Sequence, residues 1–316
     1  MVLFVPFIVC TLALMVDHAL GEPRRLHPLV GFGRLAIAVE KRLNTSPERP
    51  LPSLLAGGAA LLLLMVPVLA LAVWVTVALE GPGLIAAQVV ALWLAVSLRG
   101  LTEHGRAVAE PLQAGELEAA RAQVSRIVSR QASALDEQGV AAAATESILE
   151  NGADAVFASL FWVLVAGIPG VVLHRMVNTL DAMWGYRSPR FLYFGRAAAR
   201  LDDVMGWLPA RLTALTYSLL GNQKLAARCW RHQAPRWDSP NAGPVMAAGA
   251  GALNVRLGGP SPYPGGIKPR PLLGGTRVAD AASIGAAIRL VLRGVWLWLG
   301  VLLAVTALLA AMGYHQ

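Results

Sequence analysis

Three acidic side chains recur at helical spacing between residues 146 and 154. Glu146, Glu150 and Asp154 stand at positions i, i+4 and i+8, so a continuous α-helix would place their carboxylates along one face. Like charges in such a row repel one another, and a hard cation such as Mg²⁺ that holds substrate phosphates is a natural partner. Asn151 adds a neutral oxygen ligand. We predict catalytic roles for all four residues, with the three carboxylates as metal ligands; a solvated helix face is the alternative.

A second polar cluster follows the apolar stretch that begins at residue 155. Asn178 and Asp181 stand at positions i and i+3 of a helical pattern, so both are predicted catalytic residues and Asp181 is a fourth predicted metal ligand. Guanidinium groups follow, and these suit bidentate contacts with phosphate. Next to one of them stands a pair of acids. The predicted phosphate-binding set is Arg187, Arg200, Asp202 and Asp203. A surface ion-pair cluster would show the same pattern.

Two further residues are candidates for substrate binding. His27 is followed by Pro28, which fixes the backbone beside it; packing or solvation of a lone histidine is the alternative. Asn241 lies in the turn-rich segment 239–243, and a second such segment occupies residues 256–260. Turns of this kind can present backbone N–H groups to an anion. The chain has neither a Walker A motif nor a GxGxxG motif.

The composition places these residues in a membrane protein. Of the 316 residues 56% are hydrophobic and 15% charged, whereas soluble domains carry about 25% charged residues. About 20 apolar helical residues cross a bilayer. Four spans are predicted, at residues 1–20, 53–79, 84–98 and 286–312. The first lacks the basic start and the small-residue cleavage site of a secretory signal, so we expect an uncleaved helix.

The expected fold class is an all-α integral membrane protein with about four transmembrane helices, re-entrant or interfacial helices, and cytoplasmic loops. We predict one polytopic domain over residues 1–316, with a transmembrane hairpin at 53–98 and a cytoplasmic or re-entrant catalytic region at 99–283. The bilayer is thus an expected partner. Cys10 and Cys229 are too few for a disulfide framework or a metal site.

Basic residues predict which loops face the cytoplasm. The net charge is +8, and positive residues concentrate on the cytoplasmic side of membrane proteins. The two basic loops lie between the first and second spans and after the third span. Their residues are Arg24, Arg25, Arg34, Lys41, Arg42 and Arg49, then Arg99, Arg106, Arg121, Arg126 and Arg130. This topology accounts for the positive charge, and no nucleic-acid partner is expected.

The apolar stretch 155–173 is predicted to enter the membrane and return. If it crossed, the arginines between residues 175 and 200 would lie outside, against the charge rule. The sequence Gly167-Ile168-Pro169-Gly170 also interrupts it. A hairpin would bring residues 146–154 beside Asn178 and Asp181 on the cytoplasmic side. Residues 204–220 are likewise expected to be interfacial or re-entrant; the alternative, in which both segments span, stays open.

Several motifs, in one order along nearly the whole chain, resemble the CobD/CbiB family of cobalamin biosynthesis. They are DHALGEP at 17–23, HPLVGFGR at 27–34, ESILEN at 146–151, VNTLDAMWGYR at 177–187, FGRAAARLDDVMGWLPARL at 194–212, SPNAG at 239–243 and VRLGGP at 255–260. The chain departs from the family pattern at Met246, where an acid is usual.

The resemblance implies an adenosylcobinamide-phosphate synthase. Such an enzyme joins adenosylcobyric acid, a corrinoid, to an aminopropanol phosphate by ATP-dependent amide ligation. It implies ATP and Mg²⁺ as cofactors, the cell inner membrane as location with the active site facing the cytoplasm, and other late cobalamin-pathway enzymes as potential partners. The alternatives are a non-catalytic membrane sensor of a related branch and a membrane transporter. A transporter would show internal repeats, and none is seen. A membrane prenyltransferase would need more spans.

Overall fold

The computed structural model describes residues 2–23, 27–263 and 265–313. Arg24 and Arg25, which contribute to the topology prediction, lie outside the described residues. Among the described residues the chain is overwhelmingly helical. The helices are α1 (Val5–Leu20), α2 (Pro28–Leu43), α3 (Pro50–Ala78), α4 (Gly81–Ala95), α5 (Leu98–Gln113), α6 (Leu117–Val124), α7 (Glu137–Asn151), α8 (Ala158–Trp184), α9 (Arg196–Leu220), α10 (Gln223–Gln233), α11 (Ala242–Leu253) and α12 (Ala281–Ala311). A π-helical segment, Gly152–Phe157, joins α7 to α8.

Four helical stretches are long and apolar enough to cross a membrane, as judged by length and composition over the described residues. They are Pro50–Ala78, Gly81–Gln113, Glu137–Trp184 and Ala281–Ala311. Three of them overlap spans predicted from the sequence. The stretch Glu137–Trp184 contains the segment 155–173, which is predicted to enter the membrane and return. Helix α1, also predicted as a span, is an apolar helix of only 16 residues. The all-α membrane class is confirmed, and the roles of α1 and α8 in the bilayer stay predictions.

The chain divides into two compact units. Unit 1 comprises Met1–Ser97, Ala158–Gly206 and Leu302–Gln316, and unit 2 comprises Leu98–Phe157 and Trp207–Val301. In unit 1, α8 packs against α2, α3 and α4. Trp184 and Phe194 meet edge to face with ring centroids 5.0 Å apart, and Met176 and Leu180 are buried beside them. The prediction of a single polytopic domain stays a prediction.

Helix α8 contains a reversal at the position where the sequence predicts a break. Ala166 and Gly167 leave the helical conformation, and Gly167 has φ of +58°. A Cβ atom on Gly170 would lie 2.6 Å from the carbonyl oxygen of Trp162. Residues eight apart in a straight helix are separated by about 12 Å, so the chain folds back on itself here. This local geometry agrees with the predicted helix, turn and returning helix.

Unit 2 is built around α11, a helix of small and apolar residues. Its Gly249 packs against Leu149 of α7, and its Gly251 packs against the backbone of Ala226 in α10. Glycine at these positions lets the helices approach closely. Every residue of α11 except Leu253 is buried.

Short strands follow α11, which the sequence analysis did not predict. They are β1 (Val255–Gly258), β2 (Ser261–Tyr263), β3 (Gly266–Lys268), β4 (Leu272–Gly274) and β5 (Arg277–Val278). Strand β1 pairs antiparallel with β4, with Leu257 opposite Leu273, and parallel with β5. Strands β2 and β3 form a separate hairpin. Segments of two to four residues rich in Gly and Pro carry little periodicity, so their pairing depends on contacts made in the folded chain.

Candidate functional site

A cleft in unit 2 holds the most highly charged buried group of the described residues. Its volume is about 280 Å³. Glu146, on α7, lies at its base with a side chain only 2% exposed, and it pairs with Arg130 and Arg270, whose side chains are 9% and 8% exposed. Arg270 approaches in bidentate fashion, with Nη1 2.9 Å from Oε2 and Nη2 3.3 Å from Oε1. The carboxylate is thereby clamped between two guanidinium groups.

The backbone of β1 completes this group. Gly258 donates its N–H to Oε1 of Glu146 at 2.7 Å. Its φ is +73°, and a Cβ atom there would clash with the carbonyl oxygen of Pro271, so only glycine fits. The sequence predicts that the turn at 256–260 presents N–H groups to an anion, and the anion in the structure is the carboxylate of Glu146.

The surroundings of Arg130 favour its charged form. Burial alone would lower the pKa of Arg130, but the charges and hydrogen bonds of Glu146 and Tyr263 outweigh it, and the pKa of Arg130 is raised. Arg270 also donates through Nε to the carbonyl oxygen of Gly259 at 3.2 Å and lies 5.3 Å from the ring centroid of Trp237. This cation–π contact and the bidentate pair hold the guanidinium plane in one orientation.

Glu150 and Asn151 lie on the wall of the same cleft. Glu150 is exposed, and no hydrogen bond or ion pair to it is found among the described residues. Asn151 donates from Nδ2 to the carbonyl oxygen of Ser147 at 2.9 Å and to its Oγ at 3.0 Å. Glu150 is thus the carboxylate of this cleft that remains available to a ligand.

Asp154 does not share the cleft with the other two acids. The spacing of the three acids predicts a shared face only in a continuous α-helix. The structure changes to a π-helical segment at Gly152, whose wider turn alters the angular step per residue. Asp154 is half-buried, is absent from the cleft lining, and its charge acts on Tyr217. Tyr217 is buried and donates its hydroxyl to the carbonyl oxygen of Leu149 at 3.1 Å.

Unit 1 contains the second polar cluster. Asn178, on α8, donates from Nδ2 toward Asp202 of α9 at 3.5 Å, and its Oδ1 accepts from Arg175 at 3.3 Å. Burial and the neighbouring charge of Asp181 raise the pKa of Asp202 to about 7. The geometry therefore brings Asn178, Asp181 and Asp202 together, and the catalytic and binding roles predicted for these residues stay predictions. The expectation that this cluster and Glu146–Glu150 form one site stays a prediction, because the two lie in different units.

The remaining predicted binding residues have structural partners or lie on the surface. His27 caps α2, since its Nδ1 accepts from the N–H of Leu29 at 3.2 Å. Asn241 accepts from Nη1 of Arg211 at 3.1 Å and is absent from the cleft lining. Arg187 is exposed. Arg200 is exposed and lies 3.5 Å from Asp203 one turn later. Their substrate-binding roles stay predictions.

The carboxylates predicted as magnesium ligands match the preferences of Mg²⁺ only in part. In the described part of the chain, no three His, Cys, Asp or Glu side chains converge closely enough to hold a metal ion. The carboxylates of Asp181 and Asp202 lie close enough to repel each other. Mg²⁺ commonly keeps several waters and takes one or two carboxylates together with substrate phosphates. The pair Asp181 and Asp202 suits Mg²⁺ in this respect. Glu146 could bind the ion only if it gave up its ion pairs with Arg130 and Arg270.

Sequence reasoning missed three residues of the cleft. Arg130 was used only as one of the basic residues that predict a cytoplasmic loop. Trp237 and Arg270 were not predicted to have a role. Arg130 precedes Glu146 by 16 residues, and Arg270 follows it by 124. No local spacing connects them. The only feature of the sequence that pointed to this contact was the turn-rich segment 256–260, which contains Gly258, the donor to Glu146.

An apolar groove in unit 1 is larger, at about 860 Å³. It lies between α2, α3, α4 and α8, and Arg175 is at its edge. Its lining is mostly apolar and includes Phe32, Leu71, Val90 and Val172. The groove has about three times the volume of the cleft in unit 2 and a far more apolar lining.

These features define a helical membrane protein with a small polar cleft, in which a buried carboxylate is held by two arginines. Comparison with known proteins places it further. The model of the family described as CobD/Cbib protein matches residues 10–291. The chain therefore belongs to the CobD/CbiB family, which functions in cobalamin biosynthesis.

Curated relatives are similar in sequence to this chain over nearly their full length. The cobalamin biosynthesis protein CobD of Chromobacterium violaceum is 53% identical over 304 residues, which cover 95% of this chain and 97% of the relative. That of Stutzerimonas stutzeri is 56% identical over 291 residues, 92% and 95% of the two chains. The Rhodobacter capsulatus protein of the same name is 40% identical over 299 residues, 91% and 94%. No solved structure matches the chain.

Proposed function

We propose that this protein is an adenosylcobinamide-phosphate synthase, which joins the carboxylate of adenosylcobyric acid to the amine of an aminopropanol phosphate in an ATP-dependent step. Family membership over residues 10–291 supports this proposal. The observation that carries it is the unit 2 cleft, where Glu150 is an available carboxylate close to two clamped arginines. The active site is proposed to face the cytoplasm from the cell inner membrane.

The reaction needs the carboxylate to be activated and the amine to lose a proton. ATP, when bound, would supply the activation by phosphorylating the carboxylate with loss of ADP, and Mg²⁺ would neutralise phosphate charge. The amine nitrogen would then displace inorganic phosphate from the acyl carbon as the amide C–N bond forms.

The chain's own residues would handle the amine. An alkyl ammonium is not nucleophilic until it loses a proton, so a base must lie beside it. Glu150 is the cleft carboxylate without a described partner, and we assign it the role of proton acceptor. Asn151 keeps its side-chain oxygen for the same ammonium, since its nitrogen is occupied by Ser147.

Turnover by purified protein tests this function. With ATP, Mg²⁺, adenosylcobyric acid and aminopropanol phosphate, we expect ADP, phosphate and adenosylcobinamide phosphate in equal amounts. Glu150→Gln should lower kcat by about 10²- to 10⁴-fold, the usual contribution of a general base. Glu118→Gln is the matched control, because Glu118 is also an exposed glutamate of unit 2 and forms a surface ion pair with Arg121. Absence of coupling by the parent protein, or full activity of Glu150→Gln, would contradict the proposal.

A further inference from the structure

The lining of the unit 2 cleft carries charges of both signs. Two guanidinium groups contact a single buried carboxylate, so Arg130, Arg270 and Glu146 together carry one excess positive charge. Burying an excess charge is costly unless an opposite charge balances it, and here the balancing charge is that of Glu150, which both arginines attract. An anion that binds the arginines must therefore bring a cation for Glu150 if the cleft is to stay balanced.

The geometry of the arginines favours a tetrahedral oxyanion. Glu146, the carbonyl oxygen of Gly259 and the ring of Trp237 fix Arg270 on three sides. A guanidinium has five N–H donors, so Arg270 keeps donors beyond those used by its protein partners. A planar guanidinium fixed in this way suits phosphate better than a flexible ammonium does.

Glu150 provides the matching cation site. It follows Glu146 by one helical turn, which places their Cβ atoms about 5–6 Å apart. The charges of Arg130 and Arg270 act on Glu150, yet neither arginine pairs with it among the described residues. A ligand that contacted both the arginines and Glu150 would carry an anion and a cation separated by a few bonds.

We infer that this cleft binds an aminoalkyl phosphate, with Arg130 and Arg270 as the phosphate subsite and Glu150 as the ammonium subsite. The identity of the ligand rests on the proposed function. The cleft volume of about 280 Å³ suits a small zwitterion and is too small for a corrinoid. Glu146 is then a positioning residue that orients the two arginines. This assignment differs from the one based on sequence, which gave phosphate to Arg187 and Arg200.

Binding to the full-length protein in detergent tests the two subsites separately. Three probes are titrated calorimetrically: aminopropanol phosphate, aminopropanol without the phosphate, and propyl phosphate without the amine. Arg270→Lys should weaken both phosphate-bearing probes by about 10- to 100-fold, the effect of losing a hydrogen bond to a charged group. Glu150→Gln should weaken aminopropanol phosphate by a similar factor while propyl phosphate binds as tightly as before or more tightly.

Matched controls are Arg277→Lys and Glu118→Gln, since both residues form exposed ion pairs in unit 2; they should bind all probes like the parent. In the parent protein, inorganic phosphate should compete with aminopropanol phosphate, a measurement that needs no variant. Equal losses for both phosphates in Glu150→Gln, unchanged phosphate affinity in Arg270→Lys, or absence of competition by phosphate would each overturn the inference.

The outcomes separate this inference from the proposed function. If the probes bind as expected but purified protein forms no amide, the function fails and the site assignment stands. If ligation proceeds while both variants bind every probe like the parent, the site assignment fails and the function stands.

Discussion

Glu146 is the residue whose role changed most between sequence and structure. The sequence marks it as a member of an acidic row and predicts a metal ligand. In the structure it is surrounded by Arg130, Arg270 and the N–H of Gly258. Helical spacing marks Glu146 as a candidate functional carboxylate. It does not identify the residues that contact this carboxylate, because they lie in a distant loop and in the connection between strands and meet Glu146 only after unit 2 has folded.

Replacing Glu146 by Gln should destabilise unit 2. The variant removes the carboxylate that pairs directly with both buried guanidinium groups, and breaking a buried ion pair in this way costs about 3–5 kcal/mol. Thermal unfolding in detergent measures the loss. Glu118→Gln removes an exposed carboxylate that is 84% accessible, and its effect should stay within about 0.5 kcal/mol. Equal stability of the two variants would show that the arginines do not depend on Glu146.

Helix α8 shows what could be predicted at the level of elements. Gly167 and Pro169 mark its interruption in the sequence, and the structure breaks the helix at Ala166 and Gly167. The long apolar helices α3 and α12 also follow from composition. The π-helical segment before α8 and the short strands after α11 do not, since a π turn and a pairing of three residues depend on packing rather than on local pattern.

The reversal in α8 predicts a sharp difference between two glycines. A Cβ atom on Gly170 would meet the carbonyl oxygen of Trp162 at 2.6 Å, whereas one on Gly58 of α3 would meet nothing within 4 Å. We expect Gly170→Ala to lower the unfolding free energy by about 1–3 kcal/mol through overpacking. Gly58→Ala should be neutral or stabilising by up to about 1 kcal/mol. Thermal unfolding of both variants in one detergent makes the comparison, and a neutral Gly170→Ala would argue against a tight hairpin.

For the whole molecule, the charge pattern predicts that the segment after α8 lies in the cytoplasm. Single-cysteine variants in a background without Cys10 and Cys229, which are both buried, test this with a membrane-impermeant maleimide. Ser188→Cys should react only after the cells are permeabilised, because arginines flank it. Glu80→Cys, in the predicted external turn between α3 and α4, should react in intact cells. Reaction of Ser188→Cys in intact cells would mean that α8 crosses the membrane.

The interleaving of the two units has a consequence for synthesis of the chain. Residues 1–97 emerge from the ribosome first, but the remainder of unit 1 arrives only with 158–206 and 302–316. Unit 2 waits in the same way for residues up to 301. Chains are made at about 5–20 residues per second, so early helices remain without their final neighbours for many seconds. For α3 and α4 the bilayer can serve as the interim neighbour, whereas Arg130 and Glu146 must stay hydrated until Gly258 and Arg270, which lie in the last third of the chain, are made.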